Sequence, residues 1–490
     1  MKFAVKDGLT EEEIQSGLRN VIRDGLATQA MVTLTGGVFL VAFALRLGAS
    51  NVIIGLLAAI PPLAQLLQIP AIYLVEKYRV RRAITVYAAS SARIFWLLIA
   101  LIPLIATTSA GLPILLVALF LHSALASIGG GSWNSWMRDL VPQERLGSFF
   151  SKRMRLAIGL GIPLSIAAGS FVDIWQRQFS NYQLYSYSIL FFLGFVAGMI
   201  GIRFISTIPE PRMATIVEKP RFFRLLAKPF KDENFKNLIL FLGSWNFAIN
   251  LAAPFFTVYM LRRLELSMTY VIALMVLSQI MNVLFIRAWG RFADHLSNKS
   301  VLAVSGPLFM ICILAWSFTT LPEKYFLTVP LLIAIHIFMG ISMAGVTLAS
   351  GNIGLKLAPK GQATAYLAAN SVINSLAAGI APILGGQFAD FFSKQELSLT
   401  LRWTSPTREL ALQPLNLQQW DFFFILAFLI GLYSIHRLAM VKEVGEVEEK
   451  VVVQELIAEA RRLTRSLSPV GGLRQLTQFP FAAIRKISGK

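Results

Sequence analysis

This chain is written as two copies of one folding unit, offset by about 217 residues. Arg46-Leu47-Gly48-Ala49-Ser50 returns as Arg263-Leu264-Glu265-Leu266-Ser267, Leu140-Val141-Pro142 as Leu357-Ala358-Pro359, and the stretch from Gly169 to Asp173 as that from Gly386 to Asp390. Registration this close means that whatever one half folds into, the other must match. A finer echo runs inside each half. The pattern small/apolar, any residue, Phe or Leu, Ala or Val, acid occurs at Ile72 to Glu76, Gly169 to Asp173, Gly290 to Asp294 and Gly386 to Asp390. Three apolar stretches separate successive copies within a half, so alternate copies must face opposite sides of a membrane. That is the trace of three-helix units nested with inverted topology.

A membrane is required by composition. Apolar residues make up 56% of the 490 and charged residues 14%, against about 25% charged in an ordinary soluble domain. Twelve stretches reach the ~20 apolar residues a spanning helix needs. They give an amino-terminal arm over residues 1–24, a six-helix bundle over 25–206, a linker over 207–235, a second bundle over 236–440 and a basic amphipathic tail over 441–490. With both termini on one side, 35 of the 45 lysines and arginines fall in connections on that side and eight on the other, which makes the terminal side cytoplasmic. The expected setting is the cytoplasmic (inner) membrane, crossed many times.

The net charge of +19 does not indicate nucleic acid, because the cations lie in short clusters between spans. The tail instead reads as a ligand for anionic lipid: from Arg461 to Lys490 there are seven cations and no acid, interleaved with Phe479, Phe481, Ile484 and Ile487. One cysteine, Cys312, excludes a disulfide framework or thiolate metal site. No nucleotide-binding loop, nucleophile with its base, or metal-ligand cluster stands out, so no cofactor and no enzymatic activity are expected.

The chain resembles the major facilitator superfamily of secondary transporters over nearly all of residues 25–440. That family's signature, G-x-L-A-D-R-x-G-R-R, joins its second and third helices and again its eighth and ninth. The second copy here is Gly290-Arg291-Phe292-Ala293-Asp294-His295-Leu296-Ser297-Asn298-Lys299. The first is degraded, with Ile72 and Arg79 in place of the glycines and Glu76 in place of the aspartate. The resemblance implies an all-α membrane protein of twelve helices in two pseudo-symmetric six-helix bundles. It implies a carrier, monomeric, in which the bundles rock about a central cleft to move a small solute, with or without protons or another co-ion. The motif's acid is expected to tie neighbouring helices together on the cytoplasmic side. Candidate partners are Arg138 and Arg145 for Glu76, and Lys356 for Asp294. Two rival functions are an exporter or flippase for lipids or drugs, and a receptor or scaffold that transports nothing.

Substrate-binding candidates are the polar residues at mid-span. Arg93 lies eleven residues beyond Arg82, hence ~16 Å deep at 1.5 Å per residue. A charge there is costly unless satisfied, and with all acids assigned to loops or span ends, an anionic substrate is one answer. His122 and His336 are the mid-span groups that titrate near neutrality and the first choice for a proton carrier. Asn134, Gln279 and the i, i+4 pairs Asn246/Asn250 and Asn370/Asn374 supply amides, either for ligand or for bonds between helices.

Overall fold

The computed structural model describes residues 5–106, 108–142, 145–213, 228–320, 324–359, 363–405, 408–443 and 454. Among them are twelve helical rods of 20–36 residues, each long and apolar enough to cross a membrane. In the first half these are α1 (Glu11–Thr35) continued by α2 (Gly37–Arg46), α3 (Asn51–Ala64) continued by α4 (Gln68–Tyr78), α5 (Arg81–Ile105), α6 (Thr108–Leu140), α7 (Leu146–Gln178) and α8 (Gln183–Ile205). The second half has α9 (Glu233–Val258), α10 (Met268–His295), α11 (Asn298–Ala315), α12 (Thr328–Leu357), α13 (Ala363–Phe392) and α14 (Trp420–Ala439). The membrane-spanning, two-bundle reading of the sequence is therefore correct. Most of the basic tail and most of the linker lie outside the described residues.

Local chemistry explains where the rods start and bend. Thr10 and Glu13 form a reciprocal capping box that starts α1. From there the helix runs unbroken past residue 24, so the boundary between arm and first span marks no break in the backbone. The first break comes at Gly36, followed by Gly37 in the left-handed region at φ +54°. Pro61 and Pro62 remove two amide donors just ahead of the bend between α3 and α4.

The duplication is visible in the backbone. At the turn after the first crossing Gly48 has φ +88°, and at the same register of the second half Glu265 has φ +47°. The residues differ, but the conformation is kept. Two residues on, Ser50 and Ser267 each accept a hydrogen bond from the third amide of the helix they cap, Ile53 and Tyr270, both at 3.3 Å. At the terminal side Glu210, just past α8, accepts from the amides of Arg81 and Arg82 at 2.6 and 3.1 Å. Glu443, just past α14, does the same for Lys299 at 2.7 Å and adds Asn298 Nδ2 at 2.9 Å. Each half thus pins the start of its third span with a carboxylate that follows its sixth.

One element breaks the pattern. Between α13 and α14 the second half carries an antiparallel hairpin, β3 (Glu396–Ser405) and β4 (Arg408–Gln418), where the first half has only a tight turn. Leu397 faces Leu417 and Leu399 faces Leu415 across it. A second small pairing joins β1 (Val5–Lys6) to β2 (Glu210–Pro211), which ties the chain's start to the segment after α8.

Candidate functional site

The two halves meet on the side opposite the termini, through the copies of the repeated motif that lie there. Asp173, near the end of α7, accepts from the amides of Met268 and Thr269 at 2.9 and 2.8 Å. Those are the first two residues of α10, in the other half. Asp390, near the end of α13, accepts from Asn51 Nδ2 at 2.8 Å and the Val52 amide at 3.3 Å, at the start of α3. The physical reason is the same twice. A helix start presents amide donors without internal partners and a partial positive charge. Ser267 and Ser50 satisfy the third amide; Asp173 takes the first two amides of α10, and Asp390 takes the second amide of α3 together with the Asn51 side chain.

The glycine four residues before each acid lets the helices approach closely enough. A Cβ on Gly169 would stand 2.6 Å from Ile272 Cδ1, and one on Gly386 would stand 2.5 Å from the carbonyl oxygen of Asn51. Arg262 adds a third tie between the halves, donating to the carbonyl of Ala49 at 3.1 Å.

The other two copies of the motif, on the terminal side, make no such clasp. Glu76 and Asp294 are exposed, and Ile72 is 52% exposed. A Cβ on Gly290 would meet only Leu348, of its own half, at 3.7 Å. The expected partners differ too. Lys356 pairs with Glu443 at 2.8 Å. On the first-half side Arg81, fully buried, binds Asp139 and Glu210, while Arg138 and Arg145 are exposed. Arg81 and Lys356 thus serve contacts within one half.

Between α1 and α6, which barely touch, lies a cavity of about 340 Å³. Helices α5 and α8 form its floor and α7 one side. Ala89, Ala92, Ala126, Gly129 and Gly130 hollow it out by being small, and Asp24, Thr28, Arg93, His122 and Arg153 supply its polar groups. Arg93 is 6% exposed and Asp24 3%. Arg93 Nη2 donates to Thr28 Oγ1 at 3.0 Å and lies 3.7 Å from Asp24 Oδ1, while Nη1 donates to the carbonyl of Gly198. Thr28 in turn donates to Asp24 at 3.2 Å. The expectation that no carboxylate neutralises Arg93 is overturned: Asp24 does so. It belongs to the polar-looking start of the first helix, and that helix extends far enough into the bundle to bury it. Gly198 and Gly201 on α8 provide the space, since a Cβ on Gly201 would come within 2.8 Å of Arg93 Nη1.

The histidines are held rather than free. His122 Nε2 accepts from Trp96 Nε1 at 3.2 Å, and an indole N–H only donates, so Nδ1 must be the protonated nitrogen that bonds the Ala92 carbonyl at 2.8 Å. His336 bonds the Leu332 carbonyl at 2.8 Å and packs edge-on against Trp316, as His122 does against Trp96. Both read as repeated Trp–His struts between third and fourth spans, a geometry that argues against proton carriage. In the second half, Asn246 and Asn250 turn their amide groups onto α9's own carbonyls of Leu242 and Asn246, both at 2.8 Å. Asn370 and Asn374 on the adjoining α13 keep buried Oδ1 atoms without a hydrogen-bond donor among the described residues. Asn134 and Gln279 are exposed on α6 and α10. The structure therefore gathers Arg93 and His122 in one half and the paired asparagines in the other. Asp24, Thr28 and Arg153 complete the first group. The i, i+4 spacing of Asp24 and Thr28 was the available signal for Asp24.

Comparison with known proteins agrees with this architecture. Residues 25–382 match the family described as Major Facilitator Superfamily. No curated protein sequence matches the chain. Among solved structures, the nucleoside transporter NupG superimposes with a TM-score of 0.62 at 14% identity, covering 88% of this chain and 99% of that one. A bacterial homologue of the iron transporter ferroportin in an inward-facing state gives 0.59 at 12%, covering 89% and 100%. A bacterial homologue of the human lysosomal transporter Spinster, inward-facing and unoccupied, gives 0.55 at 13%, covering 88% and 95%.

Proposed function

The chain belongs to the major facilitator superfamily, and from that premise we propose that it is a secondary transporter carrying a small solute by alternating access. The observation that supports this reading is the asymmetry of the four motif copies. The two away from the termini are engaged across the halves, and the two on the terminal side are not. With the termini cytoplasmic, as the lysine and arginine bias indicates, this is the state closed to the outside and open to the cell interior of an inner membrane. The carrier acts as a monomer.

Energetics fit a switch of this kind. A hydrogen bond to a charged group contributes about 1.5–3 kcal/mol, and two clasps make four such bonds at partly exposed sites. Reversing a two-state population from 99:1 to 1:99 takes about 5.5 kcal/mol. The clasps are thus of the size needed to set which face is open. When they release, Glu76 and Asp294 stand at the equivalent register to engage on the other side.

Accessibility tests the proposal. Val32 lines the cavity and is 52% exposed. A Val32→Cys protein in a Cys312→Ala background reacts with a membrane-impermeant maleimide from the cytoplasmic side only. Adding Asp173→Asn and Asp390→Asn brings reaction from the outside. Labelling that stays one-sided in the clasp-free protein overturns the proposal.

A further inference from the structure

The cavity between α1 and α6 holds one positive charge more than it neutralises. Asp24 faces two arginines, Arg93 at 3.7 Å and Arg153 farther off, and one carboxylate cannot neutralise both; His122 is uncharged by its hydrogen bonds, so the surplus charge is carried on the side of Arg153. Its guanidinium lies 5.2 Å over the ring of Trp133. Its Nε is buried and meets no hydrogen-bond acceptor, and no carboxylate lies within ion-pair distance, among the described residues. Space for it was made deliberately by the sequence: a Cβ on Gly25 would stand 2.5 Å from that Nε. A buried arginine nitrogen without a partner costs free energy, and here it sits at the wall of a cavity that is otherwise mostly apolar.

We propose that this cavity is the solute site and that its solute is a small organic monocarboxylate with a flat apolar body, bound through Arg153. This inference deepens the transport reading and rests on it for the word solute, but the binding site stands on its own geometry. The indole covers one face of the guanidinium, which leaves the edge N–H groups free. Those form the planar fork that a carboxylate accepts two bonds from, and an ammonium would not offer it. The alanines and glycines leave a mostly apolar space that a flat body can enter, and about 340 Å³ lies at the small end of ligand cavities. The Asp24–Arg93 pair, already satisfied, offers no free partner to a second charge at the far end of the solute. A dicarboxylate or a zwitterion is therefore excluded from the best-bound class.

The probes are benzoate, benzamide and benzylamine, which share one ring and carry charges of −1, 0 and +1. Binding to the purified full-length protein is measured by titration calorimetry. Benzoate binds at least tenfold tighter than benzamide, and benzylamine shows no saturable binding. Arg153→Gln abolishes the preference of benzoate over benzamide. Arg153→Lys retains part of it, and both variants keep the melting temperature of the unliganded protein. The inference is overturned by equal affinity for benzoate and benzamide, by a preference that survives Arg153→Gln, or by no saturable binding of benzoate at all. Failure of the transport reading looks different. A protein that binds benzoate through Arg153, yet whose cavity labels from one side only even without the clasps, has the site and lacks the switch.

Discussion

Asp24 and Arg93 illustrate how much a single pair of charges demands of its surroundings. Each is buried, each hydrogen-bonds Thr28, and the glycines of α8 make room for both. Removing one partner of a buried pair leaves an uncompensated charge, at a cost of about 3–5 kcal/mol. Asp24→Ala is accordingly expected to lower the melting temperature of the detergent-purified protein by several degrees. Asp24→Asn combined with Arg93→Gln is expected to lose less than the sum of the two single changes. Additive losses would mean that the pair is not coupled. The need for a partner to Arg93 was legible in its depth. The identity of the partner was not, because Asp24 stands in a run of polar residues that reads as lying outside the membrane. Only the length of α1 puts it inside.

At the scale of elements, the decisive devices are carboxylates at helix starts. Asp173 and Asp390 hold helices of the opposite half, and Glu210 and Glu443 hold helices of their own. Gly386→Ala places a Cβ against the backbone of Asn51, so it is expected to mimic loss of the Asp390 clasp. Outside labelling of Val32→Cys in that single variant is the readout, and wild-type labelling would show that α3 can shift without cost.

The Glu443 cap has a pH dependence with a definite sign. Burial raises the carboxyl's affinity for protons, but the hydrogen bonds from Lys356, Asn298 and the Lys299 amide outweigh it and hold the group below the usual carboxylate range. A depressed folded-state value means that the contribution is complete above the unfolded value and is lost as pH falls through the folded one. Melting temperatures of wild type and Glu443→Gln are expected to differ most near neutrality, by the equivalent of about 1–3 kcal/mol, and to converge in acid. Divergence in acid would reverse the assignment.

The spans, the duplication and the four motif copies could all be read from the chain, because apolar length and repeated spacing are properties of sequence. The Glu210–Glu443 correspondence was hidden. The inserted hairpin pushes Glu443 out of the register that the other repeats share. The hairpin itself was written in the alternation of Leu397, Leu399 and Leu401, but an expectation of helices throughout masks a period of two.

For the molecule as a whole, two matching bodies touch through the motif copies on the face opposite the termini, the outer face in the proposed orientation, while those on the terminal face stand apart. Alternating access requires those contacts to exchange: as one side separates, the other must close. The most direct measurement uses spin-label distances in a Cys312→Ala protein. One pair sits on exposed residues of the outer face, Gln178→Cys with Ser393→Cys, and a second on the terminal face, Tyr78→Cys with His295→Cys. Adding Asp173→Asn and Asp390→Asn is predicted to lengthen the outer distance and shorten the inner one together. An outer distance that lengthens while the inner one stays fixed, or two distances that never move, would contradict a pair of bodies rocking about one central site.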